Sequence, residues 1–237
     1  MRKKLIAAAA AFTLTGLLVW GQEAMPVSHP LQAHDHDGAE GDAIRSMSSL
    51  QMPSNPHLIM TQLRPAKEAD LRYADEIVQQ LRAALKKYKD YRVAKQDGYQ
   101  PFLPNLELPL HHFTHVRYGF IGALWFRPAK PTSLLYKKTA KGYELLGAMY
   151  TASQFATEAE LNRRVPLSVA RWHAHINICL PPKSEYQAAD WKQFGFQGAI
   201  ATEQACTEAG GAFYPQMFGW MVHVYPFEKS ASKIWAH

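Results

Sequence analysis

From Leu71 onward the chain places apolar residues at three- and four-residue steps, namely Leu71, Ala74, Val78, Leu81, Leu85 and Tyr88, while Lys, Arg, Glu and Gln fill the positions between. That period puts one apolar stripe on one face of an α-helix. Pro65 before the stripe and Gly98 after it bound a predicted helix over about residues 66–97. Beyond Pro101 and Pro104 the pattern shortens to β-like runs. Residues 111–120, 132–138 and 143–151 predict strands, the last two joined as a hairpin around Ala140-Lys141-Gly142. Thr157, with Glu160 three residues later, reads as the capped start of a short helix ending near Arg164. A strand over 171–180, a helix over 201–209 closed by Gly210-Gly211, and a last strand over 220–227 complete the pattern. The expected fold class is α+β: a largely antiparallel sheet covered by the long N-terminal helix.

The ends of the chain change the picture of its compartment. Met1-Arg2-Lys3-Lys4, then an apolar run from Leu5 to Trp20, then Gly21, is the order of a secretory signal. The expected organisation is a signal peptide over 1–21, a disordered linker over 22–60 rich in His, Met, Asp, Gly and Pro, and a single α+β domain over 61–237. Periplasmic or secreted location follows, with no stable membrane insertion after cleavage. An uncleaved N-terminal anchor is the alternative, although the run is shorter than the ~20 residues a bilayer span needs. Cleavage removes three of the 26 Lys and Arg residues, leaving 23 against 20 Asp and Glu. Much of the basic character is therefore export signal, and the absence of a Lys/Arg stripe with interleaved aromatics argues against a nucleic-acid partner. Cys179 and Cys206 are the two cysteines, and in an oxidising compartment they are expected to form a disulfide.

The candidate chemistry lies in Arg171-Trp172-His173-Ala174-His175-Ile176-Asn177-Ile178-Cys179. On a strand, His173 and His175 share one face, opposite Trp172, Ala174, Ile176 and Ile178. Their Cα atoms lie roughly 6.6 Å apart, a span that one metal ion bridges, whereas Cys179 lies roughly 13 Å beyond His175. His223 lies in Gly219-Trp220-Met221-Val222-His223-Val224-Tyr225 and by the same alternation opposes Trp220, Val222 and Val224. Three neutral imidazoles form a site suited to zinc or copper. Leu110-His111-His112-Phe113-Thr114-His115 offers a fourth ligand; as a strand it cannot bring both His111 and His115 to one ion, and His112 is the candidate taken. In the linker, His29, His34 and His36, with Met25, Met47, Met52 and Met60, are further soft donors without fixed geometry.

Tyr88-x-x-Tyr91-x-x-Ala94-x-x-Asp97-Gly98-Tyr99, His112-Phe113, residues 131–136, residues 145–150 and the strand containing His173 together resemble an uncharacterised family of exported bacterial proteins over roughly residues 85–180. The resemblance implies secretion and a shared pocket containing His112 and His173, and it carries no activity. A cupin-like β-barrel is the alternative fold: His173-x-His175-x-x-x-Cys179 has the spacing of a cupin first motif, and Pro215, Gly219 and His223 loosely mimic the second. The long helix and the 47 residues between His175 and His223 argue against it.

No Gly-x-Ser-x-Gly elbow, phosphate-cradling glycine loop or His-Glu-x-x-His helix is present. The expected function is a secreted or periplasmic metal-binding protein with one copper or zinc ion at a mononuclear site of His173, His175, His223 and His112. The alternative is a metal-free module for a small molecule or carbohydrate, lined by the histidines and by Trp125, Trp172, Trp191, Trp220 and Trp235.

Overall fold

The computed structural model describes residues 55–102, 104, 109–186 and 188–236. The predicted signal peptide and the linker up to residue 54 lie outside the described residues.

The strands are β1 (Leu58–Met60), β2 (Gln100–Pro101), β3 (His111–Thr114), β4 (Ser133–Thr139), β5 (Gly142–Ala152), β6 (His173–Leu180) and β7 (Ala212–Val224). They form a seven-stranded, fully antiparallel sheet in the order β1-β6-β7-β5-β4-β3-β2. The α-helices are α1 (Glu68–Leu85), α2 (Tyr91–Gln96), α3 (Val116–Leu124), α4 (Glu158–Arg164), α5 (Glu203–Glu208) and α6 (Ala231–Ile234). The class is α+β. The sheet is open, with β1 at one edge and β2 at the other, so it is not a closed cupin-like barrel.

Alternation along the strands divides the sheet into two chemically different faces. Phe113, Leu134, Tyr136, Ala148, Tyr150, Val222 and Val224 join Trp172 in the main hydrophobic cluster. Ala74, Ile77, Val78, Leu81 and Leu85 of α1 are buried in that same cluster, so the stripe from Ala74 onward is spent on core packing, whereas Leu71 at its start is exposed and Ile77 takes a core position. Leu135, Met149 and Met221 form a separate small cluster on the other face.

Several boundaries differ from the sequence pattern for local reasons. The run expected as one helix over 66–97 is α1, a 3₁₀ turn over Lys86–Lys89 and then α2. Asp90 breaks it: its backbone is extended and its side chain accepts from the Arg92 N–H, starting a new helix. The strand expected over 111–120 stops at Thr114, because the His115 ring accepts from the Tyr118 N–H and caps α3. β7 begins eight residues earlier than expected, despite Pro215. Only residues 220–224 of β7 pair with β5, so along 212–217 the strand bonds β6 alone and the missing N–H of Pro215 interrupts no central ladder. Residues 58–60, expected in the linker, form β1 and pair with His173–His175.

The Cys179–Cys206 disulfide joins β6 to α5, with Cα atoms 5.6 Å apart across 27 positions of sequence. Loop closure on that scale stabilises a chain by roughly 3 kcal/mol. Cys206→Ser, compared with the parent by urea unfolding, is therefore expected to lose about that much stability. Thiol titration of the denatured, unreduced parent should find no free sulfhydryl; two free thiols would show that the bridge does not form.

Candidate metal centre

His173, His175, His223 and His112 open onto one cavity of about 310 Å³, together with Met149 and Met221. Asn55, Leu58, Phe196 and Gln197 complete its wall. The sheet brings these residues together by two means.

The first is register. Met149 on β5 lies directly opposite His223 on β7, and Met221 on β7 lies directly opposite His173 on β6. Opposed residues of an antiparallel pair place their side chains on the same face, with Cβ atoms about 4.5–5.5 Å apart. Three neighbouring strands thus alternate imidazole and thioether across one surface. The ring centroids of His173 are 5.8 Å from those of His175 and 5.1 Å from those of His223.

The second is curl. Two strands, β4 and β5, lie between β3 and β7, so a flat sheet would separate His112 from His223 by roughly 14 Å at about 4.8 Å per strand. Their Nε2 atoms are 3.4 Å apart. The sheet must therefore bend over this face, making it the concave one. A register shift in the β4–β5 pairing at Leu135/Tyr136 sits beside His112, whose register partner is Leu135. Irregularities of this kind sharpen local twist and bend a strand. Gly147, paired with Leu135, lets β7 close in: a Cβ there would lie 2.2 Å from the Val224 carbonyl oxygen. A second shift separates the His173 and His175 pairings on β7, where Phe218 adopts a left-handed φ of 68° and a Cβ on Gly219 would lie 1.8 Å from the Ala152 carbonyl oxygen.

Backbone groups orient two of the rings. His175 hydrogen-bonds the His57 backbone, and His112 the Leu110 backbone. Such contacts fix a ring and its tautomer, the arrangement commonly found behind metal-ligating histidines. Burial lowers the pKa of His112 from 6.5 to about 4; His175 pushes it the same way, the Leu110 contact opposes, and His111 adds a further lowering. His175 is lowered too, first by burial, with its His57 contact opposing and the His57 charge adding to the fall.

The lowered values set a sign for stability. Between about pH 6.5 and about pH 4 the unfolded chain protonates His112 and the folded, metal-free chain does not. The unfolded state then binds more protons, so stability is intact above about pH 6.5 and declines as pH falls through that window. The shift corresponds to a loss on the order of 3 kcal/mol from His112, with His175 adding in the same direction. Urea unfolding of chelator-treated protein at about pH 8 and about pH 4 measures it. His112→Gln should show a visibly shallower decline, and an unchanged slope would remove His112 from this account.

All four expected ligand residues thus reach one cavity. Among the described residues, no group of three His, Cys, Asp or Glu side chains is drawn tightly enough to constitute a ready-made cage. Of the neighbouring histidines, His111 is buried on the opposite face against the Tyr143 ring, and His115 stacks on Tyr118. Cys179 is bonded to Cys206 and is not among the residues lining the cavity; it lies four residues beyond His175 on β6. The linker histidines 29, 34 and 36 lie outside the described residues.

His57 is the residue that sequence reasoning missed. It is buried, and its ring bridges the Asn177 carbonyl at 2.9 Å and the Gly198 carbonyl at 2.7 Å. It thereby ties β1 to β6 and to the loop bearing Phe196 and Gln197, and Phe196 in turn packs on His175 at 4.9 Å between ring centroids. The available signal was the short apolar run Leu58-Ile59-Met60 at the end of a polar tract. Comparison with known proteins matches no family model, no curated protein and no solved structure.

Proposed function

We propose that the chain is an exported metal-binding protein holding one transition-metal ion, copper or zinc, among His112, His173, His175 and His223. The supporting observation is the approach of His112 and His223 across two intervening strands, to 3.4 Å between Nε2 atoms. Two imidazole nitrogens bound tetrahedrally at 2.0–2.1 Å to one ion are separated by about 3.3–3.4 Å. In metal-free protein the same spacing suits a shared N–H···N hydrogen bond, so the pair satisfies itself while waiting for an ion. His173 and His175 then supply further nitrogen from the neighbouring strand. In this reading α1 is the scaffold that covers the other face of the sheet, and residues 1–21 direct export.

The cavity wall favours this over a carbohydrate site. Among the described residues no tryptophan lines the cavity; Trp172 is buried in the core, while Trp125 and Trp191 are exposed elsewhere. The metal-free alternative keeps an imidazole-lined pocket with Phe196 in its wall but loses the tryptophan platform it called for.

Elemental analysis of the full chain, purified without chelator and washed free of loosely held ions, tests the reading. About one equivalent of copper or zinc is expected. Metal-free protein that also takes up no added copper or zinc would leave the metal-free pocket as the better account.

A further inference from the structure

We infer that the ion preferred by this cavity is monovalent copper, with the thioethers of Met149 and Met221 joining the imidazoles around it; the inference rests on the metal reading above. Both methionines line the cavity and are almost fully buried. Each stands directly across a strand pair from a site histidine, Met149 from His223 and Met221 from His173. Neither belongs to the large core cluster under the helices; with Leu135 they form their own small group on the histidine face. Two of the four strands that supply the site therefore offer sulfur where packing alone would accept leucine.

Ligand softness and charge then select among ions. Thioether sulfur is a soft, neutral donor that favours Cu(I), while zinc gains little from it. Among the described residues no carboxylate lines the cavity, and its only cysteine neighbour in sequence, Cys179, is held in the disulfide. The donor set is thus neutral. The cost of moving an ion from water into such a cavity grows with the square of its charge, so a divalent ion pays about fourfold more than a monovalent one of equal size. Zinc and Cu(II) would meet that cost without an anionic ligand. Cu(I) meets the smaller one with donors it prefers.

Anaerobic competition with a coloured Cu(I) chelator, and a parallel zinc titration with a zinc-sensitive dye, test this on the full chain. Three proteins are compared: the parent, Met149→Leu/Met221→Leu, and His173→Ala/His175→Ala. Leucine keeps volume and apolarity, so the first variant removes sulfur while preserving the fold. The parent is expected to bind its first equivalent of Cu(I) at least a hundredfold more tightly than zinc. The methionine variant should lose at least tenfold in Cu(I) affinity with zinc affinity unchanged within about threefold, and the copper–sulfur scattering seen by X-ray absorption with one equivalent of Cu(I) should vanish. The histidine variant should lose tight binding of both ions. If zinc binds the histidines and the methionine substitutions alter Cu(I) affinity and copper–sulfur scattering not at all, the copper inference is overturned and the metal site stands. If neither ion binds in a manner sensitive to His173 and His175, the metal reading fails and takes the inference with it.

Discussion

Replacing His173 and His175 together by alanine is expected to empty the site, lowering metal affinity by at least a hundredfold, while the metal-free protein still folds at a cost of about 1–3 kcal/mol for the packing lost around the buried His173 ring. Both residues lie on the cavity face, and neither contributes to the main core cluster. The protein for this comparison should begin a few residues before Asn55, which lines the cavity, so that the linker histidines 29, 34 and 36 are absent. A truncation after Met60 would be the wrong choice, because it deletes His57, Leu58 and all of β1, the strand that borders β6. Equilibrium dialysis with copper or zinc reads the affinity. Equal binding by the double variant and its parent would place the metal elsewhere.

Trp172→Ala is expected to do the opposite, costing about 3–5 kcal/mol of stability, the range found when a buried tryptophan is cut to alanine. Trp172 is completely buried on the helix-packed face, one residue before the first site histidine. Its backbone exchanges two hydrogen bonds with Thr61, and its indole N–H donates to the Val165 carbonyl. Folded molecules that survive should keep the four imidazoles at the cavity, since the lost volume lies across the sheet. Urea unfolding gives the stability, and metal titration well below the midpoint gives the affinity per folded molecule. A cost under 1 kcal/mol would show that the core closes around the gap more easily than this packing implies. The contrast between neighbours, one serving the fold and the next the site, is a direct consequence of two-residue alternation.

Much of this was legible from residue type and spacing because it is local. The stripe of α1, the hairpin of β4 and β5, the capped start of α4 and the facing of His173, His175 and His223 away from the core all follow from periodicity over a few residues. The Cys179–Cys206 pairing was legible too, since two cysteines leave one intramolecular choice. Asp90 and His115 were not, because each acts through a side-chain hydrogen bond to the backbone that competing propensities hide.

Strand order and curvature belong to the tertiary structure. Spacing could propose His112 as a ligand but could not place β3 over β7, because that depends on how β4 and β5 bend between them. Alternation already put Met221 on the face of His223, but Met149 read as an ordinary apolar position, and only register set Met149 against His223 and Met221 against His173. His57 sat in a tract with no periodicity, and only the pairing of β1 with β6 made it a strut of the cavity wall. Periodicity by itself determined which face each side chain takes, because that is settled within a turn or a pleat. Which faces meet was decided by long-range pairing and by backbone approaches at Gly147 and Gly219, where contacts hundreds of atoms apart along the chain fix the distance between two rings.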